Sequence, residues 1–341
     1  MNTAASKRIP LPPVPDGWYR AVFSDELAVG ELKPLAILGL DLVAWRGEDE
    51  RVRVADAFCP HLGAHLGHGG RVEANDVVCP FHAWRWSGDT GRCVAIPYAK
   101  RIPANACIRT FSVREQNGYA MLWVHALGAP AWFEVPVIPE TEDPGFRVYK
   151  RNRWVLDSHI QEIYENVVDV QHFRSLHQME VERASWEPVG SPDGPIVRLA
   201  VDMRRESTAQ AGDEGRTEIE SFLYGPGLQV TRLSGKLRGV SVNSLTPIGD
   251  EKVEVAHTYY VEVSDPSTEK EVEAFWEYYV DDHRLDFQIW NHKIYQPRPV
   301  LVEEDGDVAG FRRWFRQFYS AEAAPDAAAR RSGAGGIDRS A

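Results

Sequence analysis

The stretch that decides the fold reads Cys59-Pro60-His61 and then, after seventeen residues, Cys79-Pro80-Phe81-His82. Each half offers one thiolate and one imidazole to a metal, at a separation that lets two loops close over one object. Two sulfurs and two nitrogens suit a tetrahedral zinc ion. A proline directly after each cysteine and a glycine-rich run from Leu62 to Gly70 between the halves are more detail than zinc requires. Cys93 and Cys107 lack such partners and read as small apolar residues. His65 and His68, inside the glycine-rich loop, read as loop residues or hydrogen-bond donors rather than ligands.

This pairing of Cys-x-His with Cys-x-x-His resembles a Rieske site, in which two cysteines hold one iron of a [2Fe-2S] cluster and two histidines hold the other. The resemblance implies that Cys59, His61, Cys79 and His82 are the cluster ligands. It also implies a centre that is easier to reduce than an all-cysteine cluster and that passes single electrons.

The 341 residues suffice for two domains with separate cores. Hydrophobic content of 43% and charged content of 26% are those of a soluble globular protein. A formal charge of -12 argues against a nucleic-acid surface and fits a basic redox partner. No apolar run is long enough to cross a bilayer, and Met1 to Pro15 carries no apolar core of a secretory signal. Four cysteines, two of them committed to metal, imply no disulfide framework and fit a reducing cytoplasm.

Along the chain, residues 1–16 form a proline-rich N-terminal extension. Over 17–127, short β-type runs (Trp18 to Phe23, Leu35 to Leu38, Leu42 to Trp45, Val52 to Phe58, Val77 to Val78, Ile108 to Val113, Tyr119 to Val124) predict an all-β domain whose loops hold the cluster. Asn117-Gly118 is its strongest hairpin signal. Residues 128–150, proline-rich and acidic, read as an extended connector.

The second domain, 151–320, opens with helical periodicity from Asp157 to about Leu176. Strand-like runs follow (Val197 to Met203, Thr217 to Tyr224, Leu228 to Leu233, Val240 to Thr246, Val253 to Val263), then a long helix over Ser267 to Tyr295 and a closing aromatic segment, Phe311 to Tyr319. Residues 321–341 offer no periodic apolar face and read as a disordered tail.

Within the first of these helices, Asp169 and His172 are three apart and share a face, whereas His172 and His177, five apart, splay unless the helix breaks near Arg174. Two histidines and a carboxylate make the facial triad of a non-haem iron(II) centre. Taken alone, such a run is more often satisfied core or surface histidine. Beside a one-electron centre it gains meaning.

Together the two runs resemble the terminal oxygenase component of the Rieske non-haem iron oxygenases, over nearly all of 17–320. The resemblance implies an α+β architecture in which the all-β Rieske domain precedes a helix-grip (START-like) domain with an antiparallel sheet and a long C-terminal helix. It implies a mononuclear Fe(II) held by His172, His177 and a carboxylate on the last long helix. Asp286 matches that carboxylate, with Asp282, one turn earlier, as its rival. Asp169 is expected to be no ligand but an electron bridge to the Rieske histidine of a neighbouring subunit, in a ring of three copies.

Electrons are expected from a separate reductase or ferredoxin, since the chain carries no dinucleotide fingerprint or flavin site. Dioxygen is the co-substrate. Cys79 to Trp86 with Gly91 to Cys93 and Ile96 to Tyr98, His159 to His177, and Phe311 to Tyr319 are similar to the 3-ketosteroid 9α-hydroxylase and cholesterol 7-desaturase group. This implies a steroid-like apolar substrate.

Phe222, Tyr224, Leu228, Val230, Val240 and Leu245 are candidates for an apolar cavity wall, or for core. Two other readings are an aromatic-acid O-demethylase, whose substrate carboxylate needs a cation such as Arg174, Arg204 or Arg232, and a non-catalytic electron carrier with a ligand-binding domain.

Overall fold

The computed structural model describes residues 8–204, 216–234, 238–263 and 269–320. Among the described residues, seventeen strands and four α-helices succeed one another: β1 (Gly17–Phe23), β2 (Leu32–Ile37), β3 (Leu40–Arg46), β4 (Val52–Asp56), β5 (Arg71–Glu73), β6 (Asp76–Val78), β7 (Arg85–Trp86), β8 (Cys93–Ala95), β9 (Val113–Gln116), β10 (Tyr119–Val124), β11 (Phe146–Leu156), α1 (Ile160–Tyr164), α2 (Gln171–Ser175), β12 (Glu180–Pro188), β13 (Ile196–Arg204), β14 (Arg216–Tyr224), β15 (Leu228–Ser234), β16 (Gly239–Gly249), β17 (Lys252–Glu262), α3 (Glu269–Trp290) and α4 (Val308–Phe315). The architecture is α+β, as expected. No described helix is long and apolar enough to cross a membrane.

Three small antiparallel sheets build the N-terminal part: β1-β10-β9, β2-β3-β4 and β5-β6-β7-β8. The hairpin at Asn117-Gly118 forms as read, with both residues at positive φ (56° and 78°) as a two-residue primed turn requires. Its first strand starts later than expected, at Val113. Ile108 to Ser112 instead lies beside β4 through an Ala55–Thr110 bridge and the Phe111 N–H donating to the Val54 carbonyl.

The C-terminal part is one seven-stranded antiparallel sheet, β11-β17-β16-β15-β14-β13-β12, with α3 packed across one face. Its edge strand β11 begins at Phe146, inside the stretch read as connector. The strand's sequence hides it, because basic residues interrupt the apolar pattern. Each finds a partner: Arg147 and Lys150 meet Glu269 and Glu277 of α3, while Arg151 and Arg153 meet Asp25 and Glu26 after β1. β12, also unexpected, forms the opposite edge.

The helix expected over Asp157 to Leu176 is broken into α1, a 3-10 turn at Glu165–Val167 and α2. The interruption lies where Gly306 presses on the backbone: a Cβ there would stand 1.5 Å from the Val168 carbonyl oxygen. The long helix ends at Trp290 rather than Tyr295, because the following residues bind elsewhere: Asn291 Oδ1 accepts from the Asp157 N–H, and the Tyr295 N–H donates to the Arg8 carbonyl. Its expected start, Ser264 to Ser267, lies outside the described residues, as does the 321–341 tail.

The outer face of the large sheet packs on the cluster-bearing part. Trp18, Phe23, Tyr119, Met121 and Trp123 share one core with Val230, Val240, Val242, Ala256 and Tyr260. Tyr119 donates its hydroxyl to the Val242 carbonyl, and buried Arg20 pairs with Glu254 across the junction. Burying each such aromatic stabilises the junction by roughly 1.5–3 kcal/mol. The N-terminal extension is a strap from residue 8 onward: Ile9 is buried, and the Pro12 carbonyl accepts from His159 Nε2 at 3.0 Å.

Candidate metal centres

The two cysteine loops are built alike. The Cys59 N–H donates to the Ala64 carbonyl and the Gly63 N–H to the Cys59 carbonyl; the Cys79 N–H donates to Trp84 and the Ala83 N–H to Cys79 at the same offsets. The fifth position of each loop therefore needs positive φ, met by Gly63 at 77° and by Ala83, a non-glycine, at 55°. Both thiols are free and buried.

Trp84 stacks on His61 with ring centroids 4.5 Å apart and planes 12° from parallel, while the Trp84 indole donates to the Tyr98 hydroxyl. His61 and His82 meet edge-on at 4.7 Å. The Nδ1 atoms of both rings are buried without a hydrogen-bond partner. Burial, reinforced by the adjacent Cys79 thiol and opposed by the His61 N–H, pushes the Cys59 thiol up to about 11. Two buried thiols and two orphaned ring nitrogens are a donor set that a cationic metal centre satisfies.

The second set forms where the broken helix meets α3. Ligand atoms of His172, His177 and Asp286 all lie within 4.8 Å of one another. The break that the five-residue spacing demands occurs at the end of α2: the Leu176 and His177 N–H groups both donate to the His172 carbonyl, and Gln178 takes φ 54°. Asp169 Oδ1 accepts from the Gln171 and His172 N–H groups, and its backbone carbonyl accepts from His172 Nδ1. That contact leaves His172 Nε2 for a metal. The Asp169 carboxylate itself stands 4.0 Å from Nδ1 and is about half exposed.

His177 lies between two carboxylates of α3. Its Nε2 is 3.3 Å from Asp286 Oδ1, and its Nδ1 is 3.0 Å from Asp282 Oδ2. The two candidate carboxylates thus occupy opposite nitrogens of one ring. Asp286 shares the His172 side; Asp282 holds the far nitrogen.

Burial acts against a charged His177, but the hydrogen bonds and charges of Asp282 and Asp286 outweigh it and raise the metal-free ring to about 9. Burial lowers His172, against the pull of Asp286 and Asp169. Sequence reasoning passed over Asn166, whose amide donates to Asp286 Oδ1 at 3.1 Å while its carbonyl oxygen accepts from the Trp290 indole at 3.3 Å. Its place three residues before Asp169 carried no signal separate from helix surface.

Comparison with known proteins shows the family. Residues 17–112 match the Rieske [2Fe-2S] domain, and residues 122–319 match the 3-ketosteroid 9α-hydroxylase C-terminal domain. The chain belongs to the Rieske non-haem iron oxygenases.

Among relatives of this oxygenase, the cholesterol 7-desaturase of Drosophila melanogaster is 31% identical over 334 residues, covering 91% of this chain and 76% of the relative. The probable oxygenase component of 3-ketosteroid-9-alpha-monooxygenase from Rhodococcus rhodochrous is 32% identical, covering 89% and 79%. The fold is shared with apo dicamba monooxygenase, at a TM-score of 0.69 and 19% identity over 92% of this chain and 99% of that one. The oxygenase therefore uses a [2Fe-2S] cluster and a mononuclear iron, and the two donor sets fit them. It takes electrons from a separate reductase or ferredoxin and reacts with dioxygen.

The register of the large sheet decides between cavity wall and core for the apolar strand residues. Phe222, Tyr224, Leu228, Val230 and Val240 lie on the face turned away from α3, where Leu228, Val230 and Val240 are buried in the core shared with the cluster-bearing part; Leu245 lies on the α3 face, in the core of Phe287 and Trp290. An aliphatic strand face here meets another sheet, not a cavity.

Proposed function

We propose that this oxygenase hydroxylates or desaturates a steroid- or sterol-like substrate, with Cys59, His61, Cys79 and His82 holding the cluster and His172, His177 and Asp286 holding the iron. The observation that carries the reading is the convergence of those last three donor groups within 4.8 Å, in a chain aligned over nine-tenths of its length with sterol-acting relatives. The cluster supplies single electrons, and the iron supplies the dioxygen chemistry that removes hydrogen from carbon.

The chain's own groups position and dry that chemistry. Asn166 holds Oδ1 of Asp286, Asp282 holds Nδ1 of His177, and buried Phe287 and Trp290 exclude water.

Asp169 is proposed to bridge to a cluster of the next copy, in a ring of three. Support comes from the exposed apolar rim of the cluster loops (Phe58, Leu62, Phe81, Tyr98), which invites a head-to-tail contact that closes a ring. Light scattering should return the mass of three chains; a monomer refutes the ring. The proposed division places a cluster domain at 17–127 and an iron domain at 151–320, whose edge strand reaches back to Phe146. A cytoplasmic setting is proposed because two thiols must stay reduced for cluster assembly.

The aromatic-acid reading gains no support from its candidate cations. Arg232 is held by Glu140 and faces away from α3, Arg174 is exposed and donates to the Val181 carbonyl, and the Arg204 side chain lies outside the described residues. With a surrogate reductase, the enzyme should convert 3-ketosteroids or sterols to alcohols or alkenes. Turnover of methoxybenzoates alone, with formaldehyde release, refutes the steroid reading.

A further inference from the structure

One edge of α3 carries a tyrosine that the metal-ligand pattern does not include. Tyr278, Asp282 and Asp286 follow one another at steps of four, so each is the helical neighbour of the next. Exposure falls along the row. Tyr278 is 38% exposed, whereas the side chains of Asp282 and Asp286 are 12% and 9% exposed.

Contacts join this row to the proposed iron site. The Tyr278 hydroxyl donates to Asp282 Oδ1 at 3.1 Å, and Asp282 Oδ2 lies 3.0 Å from His177 Nδ1. On the far side of that ring, His177 Nε2 faces Asp286 and His172. A phenol, a carboxylate and an imidazole thus run from the protein surface to the place where the iron ligands converge. The two oxygens of Asp282 are divided between the ends of this chain, one to each. Held at both, the carboxylate keeps its plane, and Oδ2 stays aimed at the ring.

A side-chain pair four residues apart ordinarily does no more than steady a helix. Here the acceptor stands behind a histidine whose other nitrogen meets a metal-binding set, so the bond reaches further. A carboxylate in that position draws on the ring N–H and makes the opposite nitrogen a stronger electron donor. A phenol that donates to the same carboxylate shares its negative charge and weakens that pull. The adjacent carboxylate, Asp281, turns instead to Arg284 at 2.9 Å on the exposed side of the helix.

We infer that Tyr278 is a positioning residue for the mononuclear iron, acting through Asp282 on His177. Its hydrogen bond moderates the donor strength of the ring and so favours the ferrous state. The inference rests on the iron ligands proposed above and adds a residue that tunes them without touching metal or substrate.

Redox titration of the mononuclear iron, followed by electron paramagnetic resonance with the cluster signal as internal standard, tests it. Tyr278→Phe keeps the ring and removes only the donor. It should shift the balance toward the ferric state by roughly three- to tenfold, a fall of about 30–60 mV in potential. Fluorotyrosine in place of Tyr278, a stronger donor of nearly the same shape, should move the potential the other way. Asp281→Asn, a change of exposed and screened charge, should leave it at the wild-type value. In an Asp282→Ala background, Tyr278→Phe should have no further effect, because the path is already cut.

An unshifted potential in Tyr278→Phe reduces the bond to a helix-surface contact and overturns the inference, leaving the iron ligands standing. The same follows from an equal shift with and without Asp282, or from an Asp281→Asn shift as large as that of Tyr278→Phe. Wild type that takes up no mononuclear iron overturns the ligand assignment, and the role of Tyr278 with it.

Discussion

Asp282 offers the sharpest separation between a ligand and a residue that holds a ligand. Its carboxylate lies 3.0 Å from His177 Nδ1, while His177 Nε2 faces Asp286 and His172. Removing the carboxylate in Asp282→Ala deletes a charge-assisted hydrogen bond of about 1.5–3 kcal/mol. Loss of such a partner behind a metal-bound histidine costs about 10–100-fold in affinity. Asp282→Asn keeps an acceptor without the charge and should lose roughly half as much free energy, about three- to tenfold. Asp286→Ala, which deletes a donor, should retain no mononuclear iron.

The assay is iron binding to the emptied mononuclear site by chelator competition, with the cluster intact by absorbance. Because Asp282 and Asp286 hold the metal-free His177 ring up to about 9, iron uptake near neutrality displaces a proton, and variants must be compared at one pH. An Asp282→Ala protein that binds iron as tightly as wild type, or one as empty as Asp286→Ala, refutes the assignment.

The other predictions are structural. Gly63→Ala should cost about 1 kcal/mol and Ala83→Gly should gain up to about 1 kcal/mol, since both loops hold that position at positive φ; urea unfolding followed by cluster absorbance checks the opposite signs. Glu254→Leu strands Arg20, only 4% exposed, at the junction between the two parts and should cost about 2–3 kcal/mol, most of it recovered when Arg20→Met is added; an unrecovered double variant contradicts this. Burial holds His159 near 4, below its unfolded value, so the fold is favoured by the neutral ring. That contribution is complete above about pH 6.5 and falls by about 3 kcal/mol as pH drops through 4, and His159→Asn should flatten this part of the stability profile.

The two Cys/His pairs and the two histidines of the second proposed set were readable because each pair lies close along the chain in a fixed order, with the helix break demanded by the spacing of His172 and His177; the carboxylate more than a hundred residues away was not. The choice of Asp286 over Asp282 rested on the resemblance and not on helical spacing. Four residues apart on one helix, they present the same pattern, and only the packed position of His177 tells which of its nitrogens each one meets.

β11 escaped because its arginines and lysine are paired across two different neighbours, so alternation of apolar residues failed as a guide. For the apolar strand residues both cavity wall and core stayed open, because sequence alternation reveals two faces without saying which one meets the other sheet. Tyr119 and Trp123 turned out to occupy the space opposite them.

One chain is proposed to hold an electron-relaying cluster and a separate iron on different residues. Iron counting with dioxygen uptake in a surrogate reductase system tests it directly. Wild type should carry about three irons per chain and consume dioxygen with substrate, while His172→Ala should carry about two, keep the cluster spectrum and consume none. Two irons in the replete wild type, or a His172→Ala protein with a bleached cluster, would contradict the account.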